Sequence, residues 1–423
     1  MAHTIRSIRG MPDLLPPETW RRQQIENTAR DVLESFGYQE IRLPLLENTE
    51  LFCRSVGEHT DIVAKEMYTL TDRDGDSITL RPEGTAGTVR ACLQHGMIYN
   101  QSQRLWYSGP MFRYERPQKG RYRQFEQIGA EAFGIPGSEL DAELIQMCHE
   151  LFRKLGIDQA ISLEINSIGT PQSRSHYREA LVDYLSGHRE QLDPDSQRRL
   201  ENNPLRILDS KDPQTQSILD QGPVLADYLD PVAGHHFALL QSILSELEIP
   251  YRINPKLVRG LDYYTHTVFE FVTSALGAQG TVCGGGRYDG LVTQLGGRPT
   301  PGAGFAMGVD RVSLLHEALS EMEKATSLDL VCLVDEEARF GDMLSLCQFL
   351  RATVPGLKVN AQRASGKFKN QIKRAERAGA NWVLNSDPAT DRYLLRWVQQ
   401  EHGPQKLTRE ELQALLSEHC ADS

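Results

Sequence analysis

Two stretches of this chain, residues 104–114 (RLWYSGPMFRY) and 123–133 (RQFEQIGAEAF), read as strands, and the segment RPQKGR between them is too long and too rich in Pro and Gly for a tight two-residue turn. They predict a hairpin with a long, flexible, cationic tip. Arg113, Arg116, Lys119, Arg121 and Arg123 fall within it, although the whole chain carries a formal net charge of -11. A run of charge is ordinarily a solvated loop. Two details oppose that reading. Arg113 lies on the strand itself, between Phe112 and Tyr114, and the partner strand spaces Phe125, Gln127 and Glu131 evenly, so that all three project from one face. That face then presents a guanidinium fork for phosphate, an aromatic ring for a base, and an amide and a carboxylate for a small polar substrate. Such a set fits a nucleotide site with a second substrate beside it.

The 423 residues suggest about three folding units at roughly 150 residues each. A helix is expected over 18–36, stopped by Gly37, followed by a short strand in YQEIRLP that ends at Pro44. Another strand is expected at 78–81 (ITLR), then the loop EGT and a helix. Residues 170–252 carry helical patterns without strand alternation and read as a helical insertion. Strands resume at 268–273 and 280–285, and a last helix holds Arg311 near its start. These segments make a unit spanning 1–325. From 328 to 423, LDLVCLV, LKVNAQ, NWVLNS and RYLLRWVQ alternate with helical stretches as a separate α/β unit, whose last helix has a capping box at Thr408 and Glu411. This unit is neutral, with 13 Lys/Arg and 13 Asp/Glu, yet within 358–377 it has seven bases against Glu376 alone.

No apolar run is long enough for a membrane span, and no signal peptide is visible. Seven scattered cysteines without a CxxC pair read as reduced thiols of a cytoplasmic protein. The histidines show no metal spacing. His235–His236 reads as a surface or helix-end pair, and His266 as structural or surface. Net acidity argues only weakly against a nucleic-acid partner, because phosphate contacts depend on local charge.

Three further stretches are ambiguous alone. In RPEGT (81–85), Glu83 and Thr85 fit a helix cap as well as a binding site. GGGRYDG (284–290) lacks the spacing of either common phosphate-binding glycine loop and reads as structural. LVRGLDYYTHTVFEF (257–271) is too polar for a plain core segment.

Together, these stretches resemble the class II aminoacyl-tRNA synthetases. FRYE–loop–RYRQF resembles their motif 2, GAGFAMGVDRV their motif 3, and the unit ending at Pro44 their motif 1. RPEGT and LVRGLDYYTHTVFEF resemble the two segments particular to the bacterial-type histidyl-tRNA synthetases. The resemblance implies a class II antiparallel sheet flanked by helices, a helical insertion, a C-terminal α/β anticodon-binding domain and a homodimer. It implies ligation of L-histidine to tRNA(His), using ATP with Mg²⁺, through a histidyl-adenylate. By resemblance, Arg113 takes the α-phosphate, Phe125 stacks on adenine, Glu115 meets its amino group, and Arg121 and Arg311 hold the outer phosphates. Glu83, Thr85 and Gln127 hold the histidine α-amino group. Glu131 and Tyr264 bracket the imidazole, with Tyr263 lining the pocket. Arg259 touches both the carboxylate and the α-phosphate. Arg116, Gln118 and Lys119 meet the tRNA acceptor end, and no protein ligand for Mg²⁺ is implied. Two alternatives stand beside this one. The first is a non-catalytic relative that regulates the ATP phosphoribosyltransferase of histidine biosynthesis; such relatives typically lack the tyrosine-rich segment and the C-terminal domain, which this chain has. The second is a nucleotide-binding module without catalysis.

Overall fold

The computed structural model describes residues 5–57, 60–277, 280–319, 328–365, 367–386, 390, 392–398 and 403–421. The chain forms two compact units, Met1–Glu321 and Met322–Ser423. The boundary expected at 325 lies outside the described residues.

The first unit is built on an eight-stranded sheet. Its strands run, edge to edge, Gln39–Glu40, Gln103–Phe112, Gln124–Phe133, Gly302–Gly308, Thr281–Arg287, Thr265–Val272, Ser162–Ser167 and Tyr251–Ile253. The six central strands pair antiparallel, and each edge strand joins its neighbour in parallel. Along Gln124–Phe133 the two-residue period divides the work. Ile128, Ala130 and Ala132 are buried in one apolar cluster with Ile25, Val32, Leu144, Leu151, Val312 and Leu315. These last belong to the helices Glu18–Ser35, Ser138–Lys154 and Val309–Leu319. The alternate residues, Phe125, Gln127, Gly129 and Glu131, face away from that layer.

The strand expected through Pro44 is only two residues long. The reason lies in a segment distant in sequence: the carbonyls of Leu43 and Leu45 accept from the side chain and backbone of Arg81 instead of from a neighbouring strand (3.0 and 2.9 Å). Leu46–Asn48, Tyr68–Thr71 and Ser77–Leu80 then form a separate three-stranded antiparallel sheet.

Between Ser162–Ser167 and Tyr251–Ile253 the chain makes the helices Pro171–Ser186, Pro194–Asn202, Pro213–Leu219 and Pro231–Glu246. All four begin the same way. Thr170, Asp193, Asp212 and Asp230 each accept from backbone N–H groups of the first turn, and each precedes a proline. Proline presets φ where its missing N–H costs nothing, and the capping oxygen satisfies donors the helix leaves open. The helical stretch ends before Tyr251, because residues 251–253 join the sheet edge.

The second unit has a five-stranded sheet in the order Val359–Arg363, Leu330–Val334, Trp382–Ser386, Tyr393–Trp397, Gln405–Leu407, with helices Phe340–Thr353, Phe368–Arg377 and Arg409–Ala421. The first three strands are parallel and the last two antiparallel. Gln405–Leu407 is too short to announce itself in the sequence, and residue 399, expected in the strand before it, lies outside the described set. The capping box forms as expected: Thr408 N donates to Glu411 Oε2 (2.8 Å), and Glu411 N donates to Thr408 Oγ1 (3.2 Å).

One buried ion pair ties the helix layer of the first unit to its sheet. Asp141, on Ser138–Lys154, accepts from Arg287 Nε and Nη2 (3.0 and 2.7 Å), and both side chains are 1% exposed. His236 Nε2 bonds the other carboxylate oxygen (2.7 Å), which corrects the surface reading of that histidine. Burial alone raises the Asp141 pKa, but the His236 hydrogen bond and Arg287 outweigh it and hold it below the usual carboxylate range. We expect Asp141→Leu to cost about 3 kcal/mol, since it leaves the buried Arg287 guanidinium with only the partly exposed Asp289 (3.2 Å) as counter-charge. Chemical denaturation monitored on the first unit checks this; a loss under 1 kcal/mol would contradict it.

Candidate active site

The face turned away from the helices has a floor of small residues. Across the ladder, Tyr107 stands opposite Gly129, Gly129 opposite Ala306, Ala306 opposite Gly284, and Gly284 opposite Glu270, while Glu131 stands opposite Gly304. A Cβ at Gly84 or Gly129 would overlap the Tyr107 ring, one at Gly284 the Arg259 guanidinium, and one at Gly304 the Glu131 carboxylate. The first four residues of GGGRYDG, 284–287, close the strand Thr281–Arg287. Its glycines leave room for side chains that cross over the sheet.

Glu131 sits at the bottom of this face, 1% exposed. Thr85 Oγ1 and the Tyr107 hydroxyl donate to its Oε1 (2.7 and 3.2 Å), and the Tyr288 hydroxyl donates to its Oε2. Burial pushes its pKa up to about 8, against the pull of the three hydroxyls. Glu83 is also buried. It accepts from the N–H groups of Thr85 and Ala86 (2.5 and 3.0 Å) at the start of helix Thr85–Gln94. Burial raises the Glu83 pKa too, while those backbone donors and Arg113 oppose the rise. Glu83 is thus a helix cap that also looks into the pocket. Tyr263 and Tyr264 are 6% exposed, with ring centroids 4.8 Å apart, and Tyr288 packs edge-on against both (5.5 and 6.3 Å).

Beside this carboxylate pocket lie cations. Arg113 Nε donates to the Pro82 carbonyl (2.9 Å), and its guanidinium is 5.3 Å from the centre of the Phe125 ring. Burial lowers the Arg113 pKa, Glu66, Glu83 and Tyr263 oppose the fall, and Arg259 adds to it. Arg311 is set by the motif around it. Asp310 accepts from Arg22 Nη2 (2.7 Å) and from Glu126 N (2.9 Å), which pins the helix start to the sheet. Arg311 then donates to the carbonyls of Gly120 and Thr281 (3.1 and 2.6 Å). Burial lowers its pKa, and Arg121 and Arg113 lower it further. Arg259 pairs with Glu270 over the Tyr264 ring, and Glu270 also accepts from Thr281 Oγ1 (2.8 Å).

Arg121 pairs with Glu115. The tip between them is a closed turn instead of a loose loop. The backbones of Gln118 and Arg121 bond reciprocally (3.0 and 2.9 Å), Gly120 takes the left-handed φ of +74 that such a turn requires, and Arg123 N donates to the Gly10 carbonyl (2.7 Å). Arg116, Gln118 and Lys119 are exposed at the end of it.

The structure therefore gathers Glu83, Thr85, Glu131, Tyr263 and Tyr264 around one pocket, with Arg113, Arg259 and Arg311 beside it. It leaves Arg116, Gln118 and Lys119 at the rim. Gln127 Oε1 and Arg259 Nε are buried without a protein hydrogen-bond partner. Sequence reading missed Tyr107, Tyr288 and Glu270. Tyr288 stands inside the glycine cluster, and Glu270 alternates with Phe269 and Phe271, so an isolated polar residue in each apolar context was the available signal. Chemically, the face offers convergent cations for a polyanion and a buried carboxyl ringed by hydroxyls for a small polar ligand.

Solved structures resemble this chain over nearly its full length. The apo histidyl-tRNA synthetase of S. aureus is 33% identical, with a TM-score of 0.79, and the match covers 98% of this chain and 100% of that one. Two matches under 25% identity speak to the fold alone. One is an ATP phosphoribosyltransferase regulatory subunit/histidyl-tRNA synthetase from Bacillus halodurans C (23%, TM-score 0.66, 91% and 99% covered). The other is the histidyl-tRNA synthetase from Nostoc sp. PCC 7120 (19%, TM-score 0.71, 98% and 100% covered). The family model described as histidyl-tRNA synthetase matches residues 10–312, most of the chain and all of the site just described, and the chain belongs to the histidyl-tRNA synthetase family.

Proposed function

We propose that this chain joins L-histidine to tRNA(His) at the expense of ATP. The carrying observation is the group of like charges, Arg113, Arg259 and Arg311, half-buried side by side next to a hydroxyl-ringed carboxyl. Arg259 already has the Glu270 carboxylate, yet guanidiniums gathered this closely lower one another's pKa and favour a further anion beside them. A triphosphate is such an anion, and an imidazole suits the carboxyl pocket.

In the first step a histidine carboxylate oxygen attacks the α-phosphorus. The bond to the bridging oxygen breaks and pyrophosphate leaves. Arg113 and Arg259 hold the α-phosphate as its charge redistributes, Phe125 stacks on adenine, and Arg121 and Arg311 hold the outer phosphates. Glu115, released from Arg121, meets the adenine amino group. Glu83, Thr85 and Gln127 take the α-amino group, while Glu131 and Tyr264 read the imidazole beside Tyr263. In the second step a hydroxyl of the terminal ribose attacks the histidyl carbonyl and AMP leaves. Both steps rest on positioning and charge stabilisation. Magnesium enters as the ATP complex. Among the described residues no three His, Cys, Asp or Glu side chains are grouped to hold an ion, and no protein ligand is assigned.

The second unit is proposed to grip the anticodon arm, through the basic helix Phe368–Arg377 and its flanks. The protein is proposed to act as a cytoplasmic homodimer; among the described residues no helix is long and apolar enough to cross a membrane. The regulatory reading remains the rival, since one similar structure carries both names. Histidine-dependent exchange of pyrophosphate into ATP, followed by charging of tRNA(His), separates the two. A regulatory subunit or a bare nucleotide-binding module performs neither.

Arg259→His is expected to lower the exchange rate about a hundredfold, the scale for losing one preorganised donor, with a smaller loss of histidine affinity. Exchange within a few-fold of the parent would remove Arg259 from its role.

Glu131 supplies a pH test. Below about 8 its carboxyl keeps a proton, and the charged form is the better acceptor for an imidazole N–H. The KM for histidine should therefore fall as pH rises toward 8. Glu131→Gln should remove that limb and raise KM by about a hundredfold. A wild-type KM that is flat from pH 6 to 9 would contradict this.

At the rim, Arg116→Ala or Gln118→Ala should leave exchange nearly intact. Transfer to tRNA(His), whose acceptor end in this family carries an extra 5′ guanosine, should fall, and the preference for tRNA bearing that guanosine should shrink by about tenfold or more, the value of a base-reading pair. Lys119→Ala should weaken tRNA binding and flatten its salt dependence without changing that preference. Equal losses of exchange and transfer in Arg116→Ala would place the tip at the ATP.

A further inference from the structure

The tyrosine segment precedes its strand. Regular pairing begins at Thr265, so the backbone of residues 262–264 needs hydrogen-bond partners from elsewhere. Much of that support comes from the helical insertion. Arg174, in the first turn of Pro171–Ser186, donates through Nη1 to the Tyr264 carbonyl (2.7 Å) and toward the Asp262 carbonyl (3.5 Å). Asn203 Nδ2 donates to Asp262 Oδ1 (3.1 Å). From the other side, Asp262 N reaches the Val56 carbonyl (3.3 Å). Arg174 stands on a fixed base. The hydroxyls of Thr170 and Ser173, which flank its turn, both donate to Asp230, the cap of the insertion's last helix. Just after the tyrosines, His266 exchanges backbone bonds with Gly169 and Ile168 (2.9 and 2.7 Å). A cavity of about 250 Å³ opens among Arg174, Arg178, Arg206, Arg259, Asn203 and Tyr264, so the segment has space to shift if its tether is lost.

We infer that Arg174 is a positioning residue for the amino-acid pocket: its guanidinium holds the backbone that carries Tyr263 and Tyr264, which makes the insertion a wall of that pocket. The physical case is the bond itself. A guanidinium donating to a half-buried carbonyl is charge-assisted, stronger than the neutral bonds around it. A displacement of about 1 Å at Tyr264 would alter how its hydroxyl meets a ligand held by Glu131. This inference rests on the histidine-activating reading, and its test can fail separately from that reading.

The test uses the whole protein. In Arg174→Gln without ligand, amide hydrogen exchange at 262–266 should quicken several-fold, while that of the strand Thr281–Arg287 stays as in the parent. In pyrophosphate exchange, KM for histidine should rise by about tenfold, the value of one charge-assisted bond, with KM for ATP within about twofold. Arg174→Lys keeps a charged donor and should bring the histidine KM back to within about threefold of the parent. Asn203→Asp, at a half-buried position, sets two carboxylates against each other. It should move the histidine KM the same way by a few-fold, less at high salt, and it carries the test if Arg174→Gln does not fold. Unchanged amide exchange at 262–266, or KM values for histidine and ATP that rise in parallel, would overturn the positioning role. A wild-type protein without histidine-dependent exchange would overturn the reading beneath it.

Discussion

The site depends on one carboxyl group, that of Glu131, buried among hydroxyls. An isolated carboxylate out of water is costly, and here three donors converge on it from three elements: Thr85 from a helix start, Tyr107 from the neighbouring strand, and Tyr288 from the end of the glycine strand. Burial still outweighs them, and the pKa stands at about 8. A carboxyl with a raised folded pKa favours the folded state below its ordinary pKa, and that contribution fades as pH rises through about 8. The site thus holds a group whose charge is most useful when a ligand donates to it.

The same floor accommodates the cations. Removing Cβ atoms at Gly284 and Gly304 lets Arg259 and Glu131 lie across the sheet. Glycine in strands weakens them, and here the loss is offset by burying functional side chains where a methyl would stand. The arginines are held by carbonyls of Pro82, Gly120 and Thr281 and by the carboxylate of Glu270. Their mutual repulsion is contained by this scaffold, which is how a chain of formal net charge -11 keeps several cations gathered at one site.

Much of this was legible from the residues. The hairpin strands, the single face carrying Phe125, Gln127 and Glu131, the helix before Gly37 and the capping box at Thr408 follow from local rules of period and turn chemistry. Other features were not. The strand toward Pro44 stops after two residues because Arg81, distant in sequence, captures its carbonyls. His236 is a partner of Asp141 rather than a surface residue, because the insertion's last helix packs back on Ser138–Lys154. The base of the hairpin tip is tied down because Gly10, from the chain's beginning, accepts from Arg123.

By itself, the sequence determined the alternation that separates a core face from a site face, the proline-headed caps of the insertion's helices, and the residue types able to meet a triphosphate and a small polar ligand. These depend on neighbours within a few positions. The tertiary structure decided which of those residues meet. Glu270 reaches Arg259, Tyr288 reaches Glu131 and Arg174 reaches the Tyr264 carbonyl only through strand register and the return of the insertion. Such pairings join residues up to 157 apart in the chain, a separation no local pattern encodes.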